Sequence, residues 1–209
     1  MSIKERIGSG IARLSTLGMA RGKHLSRYSM YKRLGEVGAT LPNRRGDVLS
    51  ISHSTRLCDV LGLEPTSVTE ANYPEQNFLS LDFPDESFDF VLSDQVLEHV
   101  EGNPQKAFDE SRRVLRPNGI AVHTTCFFHP IHDAPGDYWR CTPEGLKLLA
   151  RDFSRVIEYG GWGNFGAWVI ARSGFRFVSI PHAKWHPLHV IATKNDPEWP
   201  ISTWVVAQK

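Results

Sequence analysis

The feature that most constrains this chain is a regular exchange of short apolar runs with helix-like segments. Gly46-Asp47 opens the run Val48-Leu49-Ser50-Ile51, and Thr55 to Leu61 has helical character up to the stop at Gly62. Ser67-Val68-Thr69 reads as a short strand, with Pro74 closing the following turn. Phe88-Asp89-Phe90-Val91-Leu92 reads as a buried strand launched by Pro84-Asp85-Glu86-Ser87. A helix from Pro104 to Leu115 ends at the turn Arg116-Pro117-Asn118-Gly119, which hands the chain to the strand Ile120 to Thr125. Thr142-Pro143-Glu144-Gly145 begins another helix, with threonine as cap and proline at the first helical position, and Val156 to Tyr159 is strand-like. Such alternation through short turns predicts an α/β fold whose mostly parallel sheet is covered by helices on both faces.

The flanks are less regular. Ile7, Ile11, Leu14 and Leu17 recur at helical spacing, and Tyr28, Tyr31 and Leu34 extend a second such segment, which predicts an N-terminal helical segment over residues 1–45. Toward the other end, residues 160–200 are rich in tryptophan, histidine and proline, and Thr203 to Ala207 reads as a final strand. A chain of 209 residues, 41% hydrophobic, has enough apolar material for one substantial core, so residues 46–209 are read as a single domain.

Lysine and arginine total 24 against 23 acidic residues, which gives no electrostatic case for a nucleic-acid partner. Basic residues do outnumber acidic ones from Lys4 to Arg45; this fits either a solvated helix face or peripheral contact with an anionic membrane or partner. Cys58, Cys126 and Cys141 are an odd number without CxxC spacing, which argues against a disulfide framework and a zinc site and leads us to expect a reducing, cytoplasmic setting. No apolar run approaches the roughly 18 residues that cross a bilayer, and the first residues lack an apolar signal core.

Three blocks in the middle of the chain carry a resemblance. Phe83-Pro84-Asp85-Glu86-Ser87-Phe88-Asp89, then Asp94-Gln95-Val96-Leu97-Glu98-His99-Val100, then Arg113-Val114-Leu115-Arg116-Pro117-Asn118-Gly119 resemble, in order and spacing, the type-11 branch of class I S-adenosylmethionine (SAM)-dependent methyltransferases. Weaker blocks extend the likeness over residues 46–160, and the closing strand Thr203 to Gln208 fits that family's antiparallel last strand. The resemblance implies a Rossmann-like, mostly parallel seven-stranded sheet, with SAM lying across the carboxyl ends of the central strands.

It also implies cofactor positions, several of them altered here. The family's first loop is acid-x-Gly-x-Gly; this chain has Ser50-Ile51-Ser52-His53-Ser54. Serine is small and its hydroxyl can donate to a carboxylate, but it tolerates positive φ less well than glycine. The loop is therefore either an altered SAM site at Ser50, Ser52 and Ser54 or a turn that has lost its ligand, with His53 packing in it. Asn72 stands where the family holds the ribose with an acid, and Glu70, two residues upstream on the same strand face, is the alternative. Five positions on, Asn77 matches the adenine-binding acid, so the helix normally between them is trimmed; Asn77 and Phe78 are then adenine contacts, although Phe78 also reads as core. Ser93, Asp94 and Gln95 correspond to contacts with the methionine part. Glu98 and His99 belong to the family wording and either hold the loop or take part in chemistry.

After the fifth strand, residues 126–142 form a long connection dense in titratable and aromatic side chains, and residues 160–200 form a second substrate-side segment. A hydroxyl acceptor needs a base near neutral pKa, and His129 and His132 are the candidates, with Asp133 or Asp137 to orient them. The alternative is a structural lid in which Asp137 pairs with Arg140. A metal is not expected, because His129, His132, Asp133 and Asp137 offer ligand types without a recognised metal-site spacing. Tyr138, Trp139, Arg140 and Trp162 are the candidate substrate contacts and suggest a small polar or saccharide acceptor; tryptophans equally read as packing. The expected function is SAM-dependent O-methylation of such an acceptor. The alternative is a degenerate methyltransferase fold serving as a binding or scaffold module. Nicotinamide-dependent redox chemistry is disfavoured, since the glycine fingerprint it uses is missing.

Overall fold

The computed structural model describes Gly10, residues 15–132 and residues 136–209. The helical periodicity at Ile7, Ile11 and Leu14, and the candidate Asp133, lie outside the described residues. In chain order the elements are β1 (Arg21–His24), α1 (Leu25–Thr40), β2 (Arg45–Ile51), α2 (Arg56–Leu61), β3 (Glu64–Ala71), β4 (Phe88–Asp94) and a 3-10 turn (Leu97–His99). There follow α3 (Pro104–Val114), β5 (Leu115–Cys126), α4 (Pro143–Leu149), β6 (Arg155–Trp162), α5 (Phe165–Ile170), a π-helical turn (Ala171–Phe175), β7 (Ser179–Pro181), α6 (Pro187–Thr193) and β8 (Ser202–Gln208).

Local chemistry accounts for the element ends. Asn103 caps α3 by accepting from the Gln105 amide at 3.0 Å, ahead of Pro104. Thr142 caps α4 by accepting from the Gly145 amide at 3.0 Å. α2 stops at Gly62, whose φ of 63° is the left-handed conformation that glycine adopts without penalty. β4 reads as a nearly continuous apolar run because both of its faces are covered, as parallel strands require.

The main sheet runs β3-β2-β4-β5-β8-β6, with β2 parallel to β3 and β4, and β4 parallel to β5. β8 runs the other way. Its last residue neighbour, Lys209, bonds to Gly119 near the start of β5, and Gln208 accepts from Ser154 just before β6 begins. This is the expected Rossmann-like arrangement with an antiparallel late strand. Among the described residues the sheet has six strands where seven are expected, because residues 72–87 pass from β3 to β4 without adding one. The trimming inferred from the closeness of Asn72 and Asn77 thus extends to a strand, and β3 is left at the sheet edge.

The chain gathers into two compact units that do not part at residue 45. One comprises residues 34–160 and 203–209 and holds most of the sheet; the other comprises residues 1–33 and 161–202. The second unit draws distant segments together because β7 pairs antiparallel with β1, Arg21 facing Pro181.

The family-like arginines bind the amino-terminal side of the sheet. Arg116 reaches Asp89 at 2.6 Å and Asp47 at 3.0 Å, joining the starts of β2 and β4. Arg113 bonds to Glu110, Asp85 and the carbonyls of Leu81 and Phe83, which fixes the segment that enters β4.

Candidate active site

The chain leaves β2 for β3 on one side of the sheet and returns to β4 on the other, so β2 and β4 flank a topological switch point. A cavity of about 410 Å³ opens there, at the carboxyl ends of β2, β3 and β4. Ile51, Ala71 and Gln95 bring those strand ends to its wall, and Asn77, Phe78 and His99 continue it.

The serine loop adopts the backbone path for which glycine is normally used. Ser52 and His53 have φ of 50° and 61°, in the left-handed region. Side chains hold it there. Glu70 accepts from the Ser50 hydroxyl at 3.1 Å and from the His53 amide at 3.2 Å, while the Asn72 side-chain oxygen accepts from the same amide at 3.1 Å. Glu70 lies in β3 and Asn72 just past its end, and both are turned to the loop. Ser54 is buried; its hydroxyl donates to the Ile51 carbonyl and accepts from the Asp94 amide at 2.8 Å, tying the β2 loop to the end of β4.

Of the residues expected at the cofactor, Ser52, Asn77, Phe78 and Gln95 line the cavity. Ser50, Ser54 and Ser93 are buried, with their hydroxyls engaged. Ser93 bonds to Nδ1 of His123 at 2.8 Å; that fully buried ring, packed on Phe108, has its pKa pushed down to about 3 by desolvation and is neutral. Asp94 accepts from the Thr124 hydroxyl at 2.7 Å, and Gln95, with φ of 62°, donates to the same hydroxyl at 3.1 Å. Tyr73, Gln76 and Glu101 also line the cavity. Sequence reasoning did not select them, because nothing in their spacing shows that the shortened connection after β3 folds against the turn after β4.

The connection after β5 brings His129 and His132 together, ring centroids 4.6 Å apart, with His99 at 4.9 Å from His132. Asp137 is 3.2 Å from Nδ1 of His132 and accepts from the His132 amide at 2.9 Å. Arg140 grips both oxygens of Asp137, and this guanidinium holds the carboxyl well below the usual carboxylate range. The pairing of Asp137 with Arg140 and the orientation of His132 therefore coexist. Tyr138 and Trp139 are partly exposed rather than core, and Trp139 is fixed by its indole N–H to the Val100 carbonyl at 3.0 Å. Trp162, at the end of β6, is buried in the second unit. Glu98 is wholly buried. It accepts from the Thr125 hydroxyl at 2.8 Å, and its carbonyl receives the Tyr138 and Trp139 amides, so this acid anchors the connection after β5.

Residues 35–123 match the family described as methyltransferase domain. No curated protein matches the sequence. Among solved structures, the [4+2]-cyclase SpnF superposes with a TM-score of 0.55 at 13% identity, over 100% of this chain and 97% of its own. A SAM-dependent methyltransferase from Thermotoga maritima gives 0.50 at 16%, over 98% and 97%. One from Archaeoglobus fulgidus gives 0.51 at 15%, over 87% and 93%. At these identities the likeness is one of fold. Among the described residues no helix is long and apolar enough to cross a membrane.

Proposed function

We propose that this chain, whose residues 35–123 match a methyltransferase domain and whose fold is similar to that of SAM-dependent methyltransferases, is a class I methyltransferase that transfers a methyl group from SAM to oxygen on a small polar or saccharide acceptor. The observation that carries the reading is the cavity of about 410 Å³ at the switch point, where open α/β sheets bind their ligands. Its volume falls in the range of small-molecule sites, roughly 300–1,000 Å³. In this reading Phe78, Asn77 and Gln76 would meet the adenine, and Gln95 and the Ser52 backbone the methionine part; the support is that all five line the cavity. When bound, SAM would supply an electrophilic methyl group; the protein's part is to hold the acceptor in line and to take its proton. His129 and His132 are the proposed proton acceptors, with Asp137 orienting His132.

One observation favours the alternative, a binding module without turnover. The His53 amide, at the point where the family's loop would meet the cofactor, is already taken by Glu70 and Asn72. Calorimetric titration with SAM and its demethylated product separates the two readings. Binding at micromolar concentration supports the enzyme; no binding at millimolar concentration sinks it. Given turnover on an acceptor found with labelled SAM, His129→Ala or His132→Ala should lower kcat about 100-fold or more with cofactor affinity little changed. Unchanged kcat in both variants removes the histidines from the reaction.

A further inference from the structure

The histidines beside the cavity are tethered in a way that methyl transfer does not require. Nδ1 of His99 meets the Gly136 carbonyl, Nδ1 of His129 the Pro130 carbonyl at 2.9 Å, and Nδ1 of His132 both the Pro130 carbonyl and Asp137, each at 3.2 Å. A carbonyl oxygen can only accept, so the proton of each neutral ring sits on Nδ1 and the lone pair on Nε2. Imidazoles that ligate metals are held in this manner, with the remaining N–H fixed by a carbonyl or carboxylate.

Glu98 supplies a second, independent observation. It is fully buried, and while one carboxylate oxygen accepts from Thr125, the other, Oε1, has no hydrogen-bond partner among the described residues. The Cys126 thiol interacts with this carboxylate and the Arg140 guanidinium acts on it electrostatically, yet Oε1 lacks a hydrogen bond of good geometry among the described residues, and a buried carboxylate oxygen so placed is suited to a cation. Ligand atoms of Glu98, His99 and His132 all lie within 4.8 Å of one another, as do those of Cys126, His129 and His132.

We propose that Glu98, His99 and His132 bind a divalent transition-metal ion of the zinc class at the edge of the cavity, of which His99 is a wall. Two imidazoles and one carboxylate leave coordination positions open for water or a substrate oxygen. Glu98 and His99 come from the turn after β4 and His132 from the connection after β5, so no local spacing announces the set. Binding of the ion does not rest on the methyl-transfer reading, but its use does. There the ion holds the acceptor hydroxyl; His132, its Nε2 lone pair given to the ion, is a ligand and no longer a proton acceptor, so the O–H proton passes to Nε2 of His129 and the oxygen keeps the electron pair.

The test is a titration of Zn²⁺, against a chromophoric chelator, into the full chain freed of metal and of any histidine tag. We expect one ion per chain with a dissociation constant at or below the micromolar range. His99→Ala, His132→Ala and Glu98→Gln should each weaken it at least tenfold, and His129→Ala less than threefold. Circular dichroism checks that each variant folds, and the partly exposed His132 keeps the test valid if a Glu98 variant does not. Absence of stoichiometric binding overturns the proposal, as does unchanged affinity in His99→Ala and His132→Ala. Loss in His129→Ala without loss in His99→Ala also overturns it, since the ion would then belong to Cys126, His129 and His132. Calorimetry with SAM on the metal-free chain reports separately on the cofactor.

Discussion

His123 is neutral in the fold, with Phe108 and Phe78 against its ring and Ser93 on its Nδ1, and this links its protonation to stability. Unfolded, an imidazole takes a proton near pH 6.5; folded, this one resists until about pH 3. Between those values the unfolded chain binds the extra proton, so stability falls as pH falls and the loss levels off below the folded value. Asp137 acts in the same direction at lower pH: its stabilising pair with Arg140 is present above the ordinary carboxyl range and drains away as pH drops through and below it. Urea unfolding at pH 7 and pH 5 should show the wild type losing about 1–2 kcal/mol more than the double variant Ser93→Ala/His123→Leu, which removes both partners together. Equal losses in the two proteins would discard the His123 assignment. Ser54 offers a second residue-scale test. Ser54→Ala removes the acceptor of the Asp94 amide in a buried place and should cost about 1–3 kcal/mol, read as a lower denaturant midpoint at constant m-value.

Between elements, α1 approaches α2 closely. A Cβ placed on Gly38 would stand 2.2 Å from the Leu61 carbonyl oxygen, and one on Gly35 3.0 Å from that of Val60. The two glycines let α1 lie directly on the end of α2, and backbone cannot yield there as a long side chain could. Gly38→Ala should therefore destabilise the chain by about 1–3 kcal/mol despite alanine's better helix propensity, measurable as a drop in thermal midpoint. A rise in the midpoint would show that helix propensity outweighs the contact. The same scale explains what the family-like blocks of the sequence do. The Arg113 to Gly119 block, which carries much of the resemblance, is bound up in holding strand starts together, whereas the Asp94 to Val100 block lies at the opposite, carboxyl ends beside the cavity.

For the molecule as a whole, a ligand that binds the folded state raises stability by mass action. SAM at 100 times its dissociation constant should raise the unfolding free energy by about 2.7 kcal/mol, and an unmoved midpoint at millimolar SAM would agree with the binding-module reading. The α/β alternation, the helix starts at Pro104 and Pro143 and the placing of Ser52, Asn77, Phe78 and Gln95 near strand ends were legible in the sequence, because each depends on periodicity, on local hydrogen bonding or on strand ends in a fixed order. The sequence could not show that Glu70 and Asn72 turn to the His53 amide, because strand alternation gives a face and not a partner. Nor could it show that residues 161–202 pair with the N-terminal segment, since β1 and β7 are short and lie far apart in the chain. What the sequence determined by itself was therefore the order of strands and helices and the end of the sheet at which the cavity opens. What only the tertiary structure decided was the company of Glu98, His99 and His132: these side chains leave two different strands, and the parallel pairing of β4 with β5 brings those strand ends side by side.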